Sequence, residues 1–138
     1  MRGVAYQDQG HLASQATTIV DPLEDGLTCE RDIPYLKQLN TNVVRLYATN
    51  PTRDHSACMK ALADADIYVL TDPSCPIPTA MNWEAPSWNT ALYDYWTATI
   101  DYEANYTNTL GLFVGTEVAT DKNTTDAVWR SPKPLLET

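Results

Sequence analysis

The sequence predicts an α/β fold built from parallel βα units, and three observations carry that reading. Short apolar, β-branched runs begin near positions 4, 43, 67 and 110, and segments with helical spacing of apolar residues lie between them. Such alternation means βαβ units and a parallel sheet. The last run, Leu110-Gly111-Leu112-Phe113-Val114-Gly115-Thr116-Glu117-Val118, is continuously apolar and ends in one carboxylate. It reads as a strand buried on both faces, as strands of parallel sheets are. Four strands with three intervening helices suit either a small open α/β domain or half of a (β/α)8 TIM barrel, which typically takes ~250 residues. Polar or reactive residues gather at the strand ends: Gln7, Tyr47, Asp72 and Glu117. That clustering favours the barrel, because those ends share one face.

The elements follow in order. Residues 3–7 read as a short strand, followed by a polar loop that runs through Gly10 to Asp21-Pro22-Leu23. Cys29 to Leu39 reads as a helix with Ile33, Leu36 and Leu39 at helical spacing; Asp32-Ile33-Pro34 falls near its start, where a missing N–H costs nothing. Residues 42–48 form a β-branched strand, ended by Asn50-Pro51-Thr52. His55 to Ala65 is a second helix with Cys58, Leu62 and Ala65 on one face. Residues 67–72 are the next strand, which also ends in a carboxylate, and a proline-rich loop runs from Pro73 to Pro86. Trp88 to about Tyr106 carries a helical face of Leu92, Tyr95, Trp96 and Thr99. The strand ending at Glu117 follows. Apolar surroundings would raise that carboxyl's pKa and suit it to general acid work, the plainer alternative being a strand-end glutamate facing water.

Composition narrows the function classes. The chain has 138 residues, 43% hydrophobic and 20% charged, a globular composition with enough residues for one core. Its net charge of -9 offers no basic patch to displace counterions, so no nucleic-acid partner is expected. No apolar run reaches membrane-spanning length. Residues 1–6 lack the apolar core of a signal peptide, and residues 132–138 lack a lipid-anchor tail, so neither signal is expected in these residues. Cys29, Cys58 and Cys75 fit no CxxC spacing, and only His11 and His55 stand by, so neither a metal site nor a cofactor is expected. In an exported protein three cysteines allow one disulfide and one odd thiol. Asn105-Tyr106-Thr107 and Asn123-Thr124-Thr125 would be glycosylation candidates there.

The stretches Arg2-Gly3-Val4-Ala5-Tyr6-Gln7, Asp21-Pro22-Leu23, residues 29–36, Asn42-Val43-Val44-Arg45-Leu46-Tyr47, residues 58–62, Ile67-Tyr68-Val69-Leu70 with Asp72, and residues 111–118 occur in this order. Together they resemble the fungal β-1,3-glucanosyltransferases, glycoside hydrolase family 72, over residues 2 to about 127. The resemblance implies a (β/α)8 catalytic barrel of which only about the first four βα units lie in these residues. It divides the chain into residues 1–127, the N-terminal half of that barrel, and a divergent tail, 128–138. It implies an enzyme that cleaves an internal β-1,3-glucan bond, holds the new reducing end covalently and transfers it to an acceptor glucan, with no metal. It also implies an exported, N-glycosylated protein held at the plasma membrane by a glycolipid anchor.

By the same resemblance Glu117 matches the acid/base, and Tyr47 a tyrosine lining the glucan site. Ser74 to Asn82 matches a loop touching donor sugar, and Gln7 and Asp72 match polar residues at the cleft mouth. Trp83 is equally a sugar platform or a loop anchor. Cys29 and Cys58 match a family disulfide, which would stabilise by roughly 3 kcal/mol in the chain-entropy model. Retaining transfer needs a second carboxyl ~5–5.5 Å from the first. The family supplies it from a later strand, and none of Glu84, Glu103, Glu137 or the aspartates matches it. Thr116 stands where the family has an asparagine, which weakens a transition-state contact to the sugar 2-OH. Residues 127–134 depart from the family pattern, and Cys75 is unmatched.

Three expectations follow from these residues. The chain is part of a glucanosyltransferase and inactive or impaired by itself, or it is a non-catalytic β-glucan-binding or structural protein. The third and weakest is an unrelated open α/β domain with Cys75 as nucleophile, for which no histidine is positioned. The free edges of a half-barrel, at Val4-Ala5 and Leu112-Phe113-Val114, predict self-association.

Overall fold

A computed structural model of the chain describes residues 1–7, 20–47, 49–72 and 89–113. The order of elements is β1 (Gly3–Ala5), α1 (Gly26–Gln38), β2 (Val43–Arg45), α2 (Ser56–Asp64), β3 (Tyr68–Thr71), α3 (Thr90–Glu103) and β4 (Thr109–Leu112). The four strands form one sheet in the order β1-β2-β3-β4, every neighbouring pair parallel. This is the predicted βα alternation, the arrangement of the first units of an α/β barrel.

Register builds the core. Val4 pairs with Val44 and Val44 with Val69. Successive side chains of a strand face opposite ways. Val44, Leu46, Ile67 and Val69 therefore share the face covered by helices, and each is fully buried. Leu36 of α1 and Met59 and Leu62 of α2 close over them, with Leu23 and partly buried Val4, Tyr6 and Ile33 at the edges. The Tyr6 hydroxyl also donates to Asp32 at 3.0 Å and ties β1 to α1.

Capping decides where the helices start and stop. The Asp25 carboxylate accepts from the Leu27 and Thr28 amides at 3.0 and 3.2 Å, so α1 begins three residues before the Cys29 start read from periodicity. Pro34 is consequently inside the helix, not in its first turn. Its ring nitrogen donates nothing to the turn before it. Both α1 and α2 end in the same Schellman geometry. Thr41 N–H bonds Leu36 O and Ile67 N–H bonds Leu62 O, both at 2.9 Å, while Asn40 and Asp66 take φ of 53° and 57°. Each motif turns the chain directly into the next strand. Leu39, expected on the apolar face, caps α1 instead and is exposed.

α1 and α2 are held together closely. A Cβ added at Gly26 would lie 2.9 Å from Ala57 Cβ, which is why a glycine opens α1. Buried Cys29 and Cys58 form a disulfide with Cα atoms 5.5 Å apart. Beside them the Asp21 carboxylate accepts from the amides of Leu23 (2.9 Å) and Asn50 (2.6 Å) and pairs with His55 Nε2 at 2.7 Å. One side chain thus ties the turn before α1 to the segment between β2 and α2.

α3 is capped by Asn89, whose side chain accepts from Leu92 N–H. It buries Leu92, Trp96, Thr99 and Glu103, with Tyr95 half-buried, close to the predicted face. Asn108 then donates to the carbonyls of Met59 and Ile67 from a buried side chain. β4 departs from expectation. Its described residues are not buried on both faces: Leu110 is 45% exposed, and Leu112, like Phe113 just beyond the strand, is half-buried. Val69 pairs with Thr109 but Leu70 with Gly111, so Leu110 is the extra residue of a bulge. β4 also has a single neighbour, β3, among the described residues.

The disulfide closes a sequence separation of 29 residues. Its reduction is expected to lower unfolding free energy by between about 3 and 4 kcal/mol in the chain-entropy model. Urea titrations with and without reductant measure this, and an unchanged midpoint would show that the Asp21 ties already constrain the loop.

Candidate functional site

The ladder places three of the sequence-derived site residues in one row. Ala5, Arg45, Leu70 and Gly111 are paired across all four strands. The bonds Tyr6 N–H to Arg45 O, Leu46 N–H to Leu70 O and Phe113 N–H to Thr71 O carry the pairing one residue further. Two residues on from the paired row stand Gln7, Tyr47, Asp72 and Phe113. By strand alternation they lie on the face away from the helices, at the carboxyl ends of the strands, where α/β barrels place their chemistry.

Gln7 and Tyr47 are half-buried, whereas Asp72 is only 2% exposed. The Gln7 Oε1 atom is buried with no hydrogen-bond partner among the described residues. Such an acceptor is suited to a donor supplied by a ligand, for example a sugar hydroxyl. Among the described residues no group of three or more His, Cys, Asp or Glu side chains is arranged to hold a metal ion.

Arg45 is a member of this site to which sequence reading gave no role. Its guanidinium carbon lies 4.5 Å from the centre of the Tyr47 ring and 4.4 Å from that of Phe113. The cation reaches from β2 past β3 and rests on rings at the ends of β2 and β4. Flat guanidinium against aromatic faces is attractive electrostatically and by dispersion, and it restricts both rings. The available signal was an arginine inside an otherwise β-branched strand, which has to be accommodated by something the strand itself does not contain.

Behind the row, on the helix side, lies a second polar group. Thr49, two residues beyond Tyr47, shares a hydrogen bond of 3.1 Å with Thr71, the residue before Asp72. Tyr95 OH donates to Thr49 O at 3.1 Å. Glu103 is fully buried, and burial pushes its carboxyl up to about 7. The nearby Asp21 adds to that rise, while His55 and the Thr49 hydroxyl oppose it.

Glu117, Thr116, Ser74, Asn82, Trp83, Cys75 and Asn123 lie outside the described residues, as does the tail at 128–138. Asn105 is exposed just past α3, and its side-chain amide donates to the carbonyls of Asp101 and Tyr102 at 2.8 and 3.1 Å. No helix among the described residues is long and apolar enough to cross a membrane.

Comparison with known proteins gives a consistent result. A sequence family described as Glucanosyltransferase matches residues 1–130. Protein EPD1 of Candida maltosa is 47% identical over 92% of this chain and 23% of its own length. The 1,3-beta-glucanosyltransferase gas1 of Schizosaccharomyces pombe is 41% identical, with the same two coverages, 92% and 23%. Gas2p of Saccharomyces cerevisiae, solved in complex with laminaripentaose, superposes with a TM-score of 0.80 and 40% identity over 91% of this chain and 28% of that one. The chain thus spans about a quarter of the length of the curated relatives it matches.

Arg45→Met is expected to destabilise the described fold by about 1–2 kcal/mol through loss of both ring contacts, with Arg45→Lys intermediate. A double-mutant cycle with Phe113→Leu in urea should give a coupling of about 0.5–1 kcal/mol. Zero coupling would mean that the guanidinium is merely near the ring.

Proposed function

The chain belongs to the glucanosyltransferase family, and from that premise we propose that it supplies the first βα units of a catalytic barrel that splits and religates β-1,3-glucan. The observation that carries the reading is the row Gln7–Tyr47–Asp72 at the carboxyl ends of adjacent parallel strands, in a chain 40% identical to a protein solved with laminaripentaose. In this reading Tyr47 offers a ring face to glucose and Gln7 an acceptor to its hydroxyls, while the buried Asp72 carboxylate lines the row beneath them. Ser74 and Asn82 hold donor sugar in this reading.

Glu117, five residues beyond the end of β4 in the sequence, is the acid/base. Its carboxyl protonates the oxygen leaving the cleaved bond while a second carboxylate attacks the anomeric carbon. Its carboxylate then takes the proton from the acceptor hydroxyl that displaces the enzyme, so the anomeric configuration is retained. Thr116 beside it makes a weaker contact to the sugar 2-OH than the asparagine of the family pattern would. The second carboxylate has no match among the 138 residues, so catalysis requires a group they do not contain.

A cell-surface setting on the extracellular side belongs to the same proposal, and the buried Cys29–Cys58 disulfide supports it, being in keeping with an oxidising compartment. Asn105 and Asn123 are the glycan acceptors in this proposal, and a glycolipid anchor is the membrane link. A second reading, a glucan-binding or structural unit without catalysis, is favoured by the Gln7 Oε1 atom, which has no hydrogen-bond partner among the described residues.

The isolated 138-residue polypeptide is expected to show no elongation of laminari-oligosaccharides by chromatography of the products. Elongation that vanishes in Glu117→Gln would overturn the requirement for an outside carboxylate. Calorimetric titration with a laminari-oligosaccharide separates the second reading: heat lost in Tyr47→Ala supports it, and no heat at millimolar ligand removes it. Among the described residues β1 and β4 each have a single neighbour, and edges of this kind should also make the polypeptide self-associate. A concentration-independent monomer on size exclusion would sink that expectation.

A further inference from the structure

Three buried ionisable side chains from three separate segments lie close enough to feel one another's charge behind the polar row. Asp21 precedes α1, His55 precedes α2, and Glu103 closes α3. The side chains of Asp21 and His55 are 1% and 0% exposed and lie 2.7 Å apart. Glu103 is also 0% exposed, and no hydrogen bond of ordinary length reaches either carboxyl oxygen from the described residues. The Thr49 hydroxyl is close enough to favour the anion, but it is shared with Thr71.

Charge balance follows from these residues. The imidazole supplies at most one positive charge, against two carboxyl groups. With both carboxyls ionised the cluster carries net negative charge in a place that water does not reach, and burial penalises that state heavily. Other titratable groups do not relieve it. Tyr102 meets the His55 ring edge-on with centroids 5.1 Å apart, accepts the His55 backbone N–H and bonds the Tyr106 hydroxyl at 2.8 Å. Burial, and then the hydrogen bond to Tyr102, push the Tyr106 hydroxyl above its ordinary range, so it adds no positive charge to the cluster. Asp54 adds negative potential from the rim, and the Arg53 guanidinium is turned outward to Glu24 at 3.5 Å.

We propose that Asp21, His55 and Glu103 form a proton-operated clasp. The neutral Glu103 carboxyl lets α3 close onto the turn before α1 and the start of α2, and loss of its proton loosens that closure. The clasp touches the polar row through Thr49 and Thr71, which flank Tyr47 and Asp72 in the chain. It does not depend on what the row binds.

The sign of the effect follows from the raised carboxyl. A carboxyl of ordinary pKa 4.5 in the unfolded chain and about 7 in the fold stabilises fully below pH 4.5. It loses that contribution progressively between those values, and none remains above them. Asp25, Asp32 and Asp54 have carboxyls held below the ordinary 3.8 by hydrogen bonds, from Thr28, Arg31 and Ser56 respectively, so their effect falls at lower pH and in the opposite direction.

The test is urea unfolding of the disulfide-intact chain from pH 4.5 to 8.5, with Glu103→Gln alongside. The wild-type unfolding constant should rise by up to tenfold per pH unit, the slope of one proton, and level off above about pH 7. Glu103→Gln keeps the shape without the titration, so its profile should be flat there and cross the wild type. A flat wild-type profile, or an equal slope in the variant, overturns the clasp. If the variant does not fold, carbon-detected NMR of wild-type glutamate carboxyls decides. The Glu103 carboxyl, assigned through its own side-chain carbons, titrating between pH 6 and 8 supports the clasp, and its titrating near 4.5 overturns it.

Discussion

Everything polar at the end of the sheet depends on the in-register parallel ladder. Parallel strands run the same way, so their carboxyl ends fall at one edge, and a shared register puts equivalent residues side by side. Ala5, Arg45, Leu70 and Gly111 are the paired row, and the row above them collects Gln7, Tyr47, Asp72 and Phe113. A slip of one residue on β2 or β3 would turn its member of that row toward the helices and carry Val44 or Val69 out of the core. The same register that buries Val44 and Val69 therefore arranges the candidate sugar contacts.

The ladder is held by a small number of polar ties because each strand is only three or four residues long. Short strands contribute few backbone bonds, so entry and exit must be set from outside. The Schellman turns at Asn40 and Asp66 deliver β2 and β3 directly from their helices. Asp21 gathers two amides and one imidazole, and the Cys29–Cys58 bridge joins the helices beside it. Arg45 works on the other face, resting one cation on two rings. Buried groups of this kind are costly unless satisfied, and that cost favours one arrangement over its neighbours.

Much of this was legible in the residues. The four β-branched runs, the three helical periods and the carboxyl-end clustering led to the correct sheet direction and to Gln7, Tyr47 and Asp72. The misses have physical causes. Asp25 caps a helix whose first turn has no apolar residue in the core before Cys29, so periodicity alone started α1 late. Asn40 and Asp66 take a left-handed conformation more often given to glycine, so neither helix end stood out. Leu110 looked buried because composition cannot reveal a bulge. Arg45 went unassigned because its partners are contributed by two strands.

By itself the sequence determined the order and type of the elements, the family to which they belong and the residue kinds available at the strand ends. Those properties are local, since apolar period, β-branching and motif order are written along the chain. Only the tertiary structure decided that Arg45 meets Tyr47 and Phe113, that Leu110 is squeezed out of the ladder, and that Glu103 is buried within electrostatic reach of the Asp21–His55 pair. Each of these joins residues far apart in the chain. Their energies come from burial and mutual distance, which exist only once the strands have paired and the helices have closed over them.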